Sequence, residues 1–257
     1  MKIRSLAAAA AIGAMILLAQ GAAEAAEIKV LSAGGMRPVM EDLGPKFERA
    51  SGHKLAITFD FPPAVVKRVQ DGESADVVML PQREIESLVK DGKAVADNVT
   101  VIASAGIGVA VRKGAPKPDI SSPEALKRTL LAAKSITYGN PAQSASGRHF
   151  AKVLDRLGIA NEMKSKMVFT KTPGAVGDLV AKGEAEIGVN QFQDFIRNAG
   201  VEIVGPLPGD LQDTIVFSAA IMAGARDAAA SKALVNFLRT PEAATVIKAQ
   251  GLEAATP

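Results

Sequence analysis

Residues 135–159 read Ser-Ile-Thr-Tyr-Gly-Asn-Pro-Ala-Gln-Ser-Ala-Ser-Gly-Arg-His-Phe-Ala-Lys-Val-Leu-Asp-Arg-Leu-Gly-Ile. Ser135–Tyr138 has the β-branched centre of a short strand. Gly139-Asn140-Pro141 breaks it, because proline offers no N–H and glycine frees the backbone. Ser144 or Ser146 can cap a helix beginning just after it. Phe150, Val153, Leu154 and Leu157 recur at helical spacing until Gly158 stops that helix. The stretch is therefore strand, polar loop, helix. Its loop offers two hydroxyls, backbone N–H groups and a helix N-terminus, a combination that favours an anion. Arg148 in the first turn opposes the helix dipole but is placed to help hold an anion. An ordinary capped helix has the same signature.

The same order runs through the rest of the chain. Glu27–Leu31 is a strand and Ser32–Gly35 a loop. Pro38 suits the first turn of a helix reaching about Ala50, with Val39, Leu43 and Phe47 on one face. Leu55–Phe59 is the next strand, Phe61-Pro62-Pro63 a stiff loop, and Ala64–Gln70 a helix. Asp76–Leu80 is a continuous apolar strand of the kind covered on both faces. Residues 135–190 repeat this plan. Met167–Thr170 is a strand, Lys171–Gly174 a loop, a helix runs from Ala175 to Lys182, and Glu186–Val189 is a strand. Ala64-Val65 to Gly72-Glu73 matches Ala175-Val176 to Gly183-Glu184 at identical internal spacing.

Alternating strands and helices imply two α/β lobes with right-handed parallel crossovers. Two β-rich runs, Thr100–Arg112 and Thr214–Met222, are long enough to pass between lobes. The expected division is residues 26–103 plus 217–257 for the first lobe and 104–216 for the second. Ala-rich helices at 227–250, restarting at Thr240-Pro241-Glu242, return the C-terminus to the first lobe. Ligands of such sheets lie at the carboxyl ends of the strands. The loops Ser32–Arg37, Asp60–Ala64, Gly139–Gly147, Thr170–Gly174 and Asn190-Gln191 therefore frame the candidate site.

The chain has 257 residues, no cysteine and a formal charge of +3. Lys2 and Arg4 precede an apolar run from Leu6 to Ala19, and Ala23-Glu24-Ala25 comes after it. This is the pattern of a cleaved secretory signal peptide over residues 1–25, which leaves a mature chain of charge +2. So small a charge, without a basic run, gives no case for nucleic acid. The absence of cysteine excludes disulfides and thiolate metal sites. With two separated histidines, His53 and His149, no metal or other cofactor is expected. With no Trp and one Tyr, a sugar cleft of stacking rings is not expected. No P-loop, dinucleotide fingerprint, zinc-helix motif or nucleophile elbow occurs.

Signal peptide, two α/β lobes and a cleft of helix N-termini together resemble a type II periplasmic binding protein. More narrowly, nearly the whole mature chain resembles the periplasmic molybdate-binding protein family. The resemblance rests on Ile28–Gly34, Gly72–Val78, Gly139-Asn140-Pro141, Gly183–Val189 and the Phe-Leu-Arg-Thr-Pro-Glu-Ala stretch within Ser231–Lys248. It implies a monomeric periplasmic protein that captures a small anion for the membrane subunits of an ABC transporter. The family holds its oxyanion with neutral hydroxyls and backbone N–H groups. Here Gly35 matches the first-loop serine, Phe61-Pro62-Pro63 the serine-rich second loop, and Gln191 the aromatic hydroxyl. Arg37, Arg148 and Lys171 stand in or beside the cleft loops, and fixed cations suit an organic carboxylate. The expected ligand residues are Ser32, Gly34, Gly35, Arg37, Pro62, Ser144, Ser146, Arg148, Lys171, Thr172 and Gln191. Arg37 precedes proline, which biases it to an extended backbone aimed into the cleft. The chain is also similar to aconitate isomerase, an enzyme on the same scaffold, for which His149 is the candidate base. Mass spectrometry of exported protein should give an N-terminus near Ala26; an intact Met1 would refute the leader.

Overall fold

The computed structural model describes residues 25–255; the leader expected over residues 1–25 lies almost wholly outside them. The order of elements tracks the apolar pattern closely. Strand β1 (Glu27–Ala33) pairs in parallel with β2 (Lys54–Asp60) and β3 (Val77–Pro81). Between β1 and β2 runs helix α1 (Arg37–Ser51), with Pro38 in its first turn and Val39, Met40, Leu43 and Phe47 buried. Helix α2 (Pro62–Gln70) joins β2 to β3. Helix α3 (Gln82–Lys90) then leads into β4 (Ala94–Arg112), 19 residues long.

The second unit includes helix α4 (Pro123–Ala132), which the Ser122 hydroxyl caps by accepting from the Ala125 N–H. Strand β5 (Ile136–Tyr138) leads through the Gly139–Ser144 loop into α5 (Ala145–Arg156). Next come short helix α6 (Ala160–Met163), strand β6 (Met167–Val168), helix α7 (Val176–Ala181) and strand β7 (Ile187–Gln191). Helix α8 (Gln193–Ile196) and strand β8 (Val201–Pro206) complete this unit. Strand β9 (Thr214–Met222), helices α9 (Ala228–Phe237) and α10 (Pro241–Ala249), and β10 (Glu253–Ala254) end the described chain.

The strands run in the order β2-β1-β3-β9-β4-β7-β5-β6, with β8 and β10 also on β4. The first part of β4 pairs with β9 and the last with β7 and β8. Strand β8 is not among the strands expected from the sequence. Two cores result. One draws its buried members from Ile28 to Ala105 and from Ile215 to Leu252, the other from Ile107 to Leu211. Leu234, Leu238 and Ile247 of the C-terminal helices belong to the first. This is the α/β architecture expected from the alternation of strands and helices.

Asp76 ties the returning chain to the first core. Its buried carboxylate accepts from the Lys29 and Arg226 backbone N–H groups, each at 2.7 Å, and from the Arg226 guanidinium at 3.0 Å. Burial pushes this carboxyl up, but those bonds outweigh it and hold it below its ordinary value. A depressed folded value means stability present at neutral pH and lost as pH falls through it. Asp76→Ala, which orphans two amides, should cost roughly 2–4 kcal/mol in denaturant unfolding at pH 7. Asp76→Asn should flatten the acid limb of the melting curve; an unchanged limb would contradict this role.

Candidate functional site

Five expected ligand residues converge on one cavity of about 50 Å³ between the two units: Gly34, Gly35, Pro62, Ser144 and Gln191. The first unit supplies the Gly34–Met36 3₁₀ turn that ends β1, the start of α2, and the Phe217 ring. The second supplies Asn140, the N-terminus of α5, the 170–174 loop, and Asn190 and Gln191 at the end of β7. These are strand ends and helix starts, as the parallel topology requires.

The α5 terminus is built for close approach. Ser144 caps it, its hydroxyl accepting from the Gly147 N–H at 3.3 Å. A Cβ on Gly147 would lie 1.8 Å from the Gly139 carbonyl oxygen, so the loop closes down on the helix only because this residue is glycine. Helix geometry leaves the first-turn amides of Ala145 and Ser146 without intrahelical acceptors. Ser146 is buried just behind the wall. Its hydroxyl lies 2.8 Å from the Ser144 hydroxyl and donates at 2.5 Å to the Asn190 side-chain oxygen. The Asn190 amide donates in turn to the Asp194 carboxyl. On the opposite side, Gln193 Nε2 donates to Gln191 Oε1 at 3.1 Å and to the Gly35 carbonyl at 3.3 Å.

The cations do not converge. Arg37 is helical rather than extended, because it comes after the 3₁₀ turn and opens α1. Its guanidinium stacks 4.4 Å from the Phe59 ring centre, outside the cavity. Arg148 reaches across the gap between the units to Glu84 Oε1 at 2.6 Å. Lys171 and Thr172 are exposed at the loop tip, and the Thr172 N–H donates to Thr170 Oγ1 at 3.0 Å. Ser32 is buried in β1 with its hydroxyl on the Ala33 carbonyl. His149 faces away, Nε2 on the Leu211 carbonyl at 2.7 Å and Nδ1 3.2 Å from Asp213. Among the described residues, no lysine, arginine or histidine lines the cavity.

Sequence reasoning missed Asp194. It lines the cavity from the start of α8. Burial pushes its carboxyl up to about 7, against hydrogen bonds from Asn190 and the Val176 N–H, and the Asp178 charge adds to the rise. The available signal was the Asn190/Asp194 pair, four residues apart directly after an apolar strand. A larger depression of about 620 Å³, around Val111, Pro116 and Ile187, is lined by residues of the second unit and lies outside the gap between the units.

Residues 28–253 match the family described as bacterial extracellular solute-binding protein. The chain belongs to this family. It is 33% identical to an aconitate isomerase from Pseudomonas sp over 254 residues, 95% of each chain. It is 30% identical to the molybdate-binding protein ModA of Azotobacter vinelandii over 246 residues, 94% of each. The solved structure of the periplasmic molybdate-binding protein of Azotobacter vinelandii superposes with a TM-score of 0.76 at 22% identity, covering 90% of this chain and 99% of that one. Family membership fits a cavity whose walls come from two separately cored units.

Gly34 is a point of close backbone approach between them. A Cβ there would lie 2.6 Å from Pro173 Cβ. Gly34→Ala should hold the units apart and weaken ligand binding roughly ten- to a hundredfold, the effect of about 1–3 kcal/mol of overpacking. Titration calorimetry measures the affinity, and small-angle scattering should show that the liganded variant fails to contract. Parent-like affinity would mean that the contact does not govern closure.

Proposed function

We propose that the protein captures a small oxyanion between its two lobes outside the cytoplasm and delivers it, as a monomer, to the membrane subunits of an ABC transporter. The observation that carries this reading is a small interlobe cavity walled by neutral donors. Side-chain amides of Asn140 and Gln191 and helix-terminal N–H groups surround it, with the Ser144 and Thr170 hydroxyls beside them, and among the described residues no fixed cation lines it. Neutral dipoles fixed in place hold an anion without presenting a charge that any carboxylate would seek. The organic acid favoured by Arg37, Arg148 and Lys171 loses that support, since those side chains lie elsewhere. A cavity of about 50 Å³ also suits an anion of a few heavy atoms.

In this reading the lobes turn about two short crossings. Ala105 belongs to one core and Ile107 to the other; Leu211 and Ile215 divide the returning chain in the same way. The hinges then fall near Gly106 and residues 212–214, close to the division expected from sequence. Ligand stabilises the closed form by contacting both lobes at once.

A second reading is an isomerase. Asp194 is a carboxyl that titrates near neutrality on the cavity wall, which a proton transfer needs, and one relative is named aconitate isomerase. The two readings separate directly. Thermal-shift titration with molybdate, sulfate and phosphate, against citrate and aconitate, should raise the melting temperature for an oxyanion. The stabilisation is about 2.7 kcal/mol at a hundredfold excess over the dissociation constant. No shift with any oxyanion, together with conversion of cis- to trans-aconitate, would replace the first reading with the second.

A further inference from the structure

The wall of this anion cavity contains one group of the wrong sign. Asp194 lines it beside Asn190, Gln191 and Gly174, and a Cβ on Gly174 would sit 3.3 Å from Asp194 Oδ1. The carboxyl ends a polar chain from the α5 cap: Ser144 to Ser146, Ser146 to Asn190, Asn190 to Asp194. That chain fixes one oxygen as acceptor. Among the described residues no guanidinium or ammonium is paired with it. The ionisable groups around it are Asp178 on α7, Arg37 and Glu41 on α1, Arg197 just beyond α8, and Lys171 at the tip of the 170–174 loop. Arg37 is stacked on Phe59, and Arg197 is engaged with Glu41 and Asp42 at 3.4 and 3.3 Å. Asp178 is acidic and Lys171 is exposed. The strand β7 behind Asp194 brings no charge.

An ionised carboxylate and an anion closed into one small cavity repel with little solvent to screen them. A proton between them removes the repulsion and replaces it with a charge-assisted hydrogen bond. Resting on the solute-binding reading, we propose that this site takes up its anion together with one proton, shared between the ligand and the Asp194 carboxyl. The proton has two sources. A fully ionised oxyanion such as sulfate or molybdate needs Asp194 to carry it. Inorganic phosphate, whose dianion still bears one hydrogen in mild alkali, brings its own and donates it to the carboxylate. Asp194 is thus a specificity residue. Towards acid the site accepts both kinds of ligand; towards alkali it retains only those that bear a proton. The unliganded carboxyl already leans this way, burial having raised it to about 7.

The test is calorimetry of the full-length mature protein with sulfate, molybdate and inorganic phosphate at pH 6 and pH 8.5. Sulfate and molybdate should lose about tenfold in affinity per pH unit above 7, in step with the protonated fraction of Asp194, while phosphate changes by less than about tenfold overall. At pH 8, buffers of different ionisation heat should report about one proton taken up per sulfate or molybdate bound. Asp194→Asn, which replaces the carboxyl by a neutral donor, should make their affinity independent of pH. Proton counting on the unaltered chain stands even where that variant fails to fold. Equal affinities for sulfate or molybdate at both pH values with no proton uptake overturn the inference and leave the solute-binding reading intact. No binding of any of the three anions at pH 6 overturns both.

Discussion

A single strand serves two sheets, and the rest of the molecule depends on it. Residues 94–106 of β4 are laddered to β9, while 107–112 carry β7 and β8. Buried backbone must be hydrogen-bonded along its length, so β4 cannot leave either sheet without breaking a ladder. Each core is completed around its own part of this strand. The two sheets therefore present their loop-bearing ends to one another at a fixed place. The cavity lies where the end of β1, the start of α5 and the end of β7 meet.

The contacts that join the lobes across that cavity are chemically weak. Arg148 and Glu84 pair at 2.6 Å, but the other Glu84 oxygen is buried without a partner, so desolvation offsets part of the gain. Arg197 with Glu41 and Asp42 is largely exposed, and such pairs are worth about 0–1 kcal/mol. Gln193 to Gly35 is one long neutral hydrogen bond. Closure so lightly held responds to a ligand that touches both sides, because a small differential affinity suffices to move the balance.

Much of this was legible in the sequence, and the division is physical. Periodicity and punctuation locate elements: Pro38, Ser122-Pro123, Ser144 and Thr240-Pro241 all sit at helix starts. The two matched stretches at 64–73 and 175–184 both carry a glycine with positive φ, Gly72 and Gly183, just beyond the helix. Backbone contributions to the cavity, Gly34, Gly35 and the α5 terminus, could be placed from strand ends. Side-chain direction could not. Arg37 and Arg148 had equally good local alternatives, an aromatic face and an acidic partner sixty-four residues away, and nothing local distinguishes these from a ligand. Helix α3 was passed over although Ile85 and Leu88 recur at helical spacing, and strand β8 escaped because so short an apolar stretch gives little periodicity.

Asp76 and Asp194 show how the partner set decides what a desolvated carboxyl is for. Both lie where desolvation opposes charge. Asp76 receives a guanidinium and two backbone amides, and its charge becomes a structural clamp that holds at neutral pH. Asp194 receives an amide side chain and one backbone N–H, both neutral donors, and has an acidic neighbour in Asp178. Hydrogen bonds alone do not offset its burial, so it keeps a proton-binding tendency close to physiological pH. In a structural region that arrangement is a liability, since stability falls as pH rises through the folded value. On the wall of an anion cavity it has a use. The cation that would relieve Asp194 would equally attract any passing anion, whereas a shared proton relieves it only while the right ligand is bound.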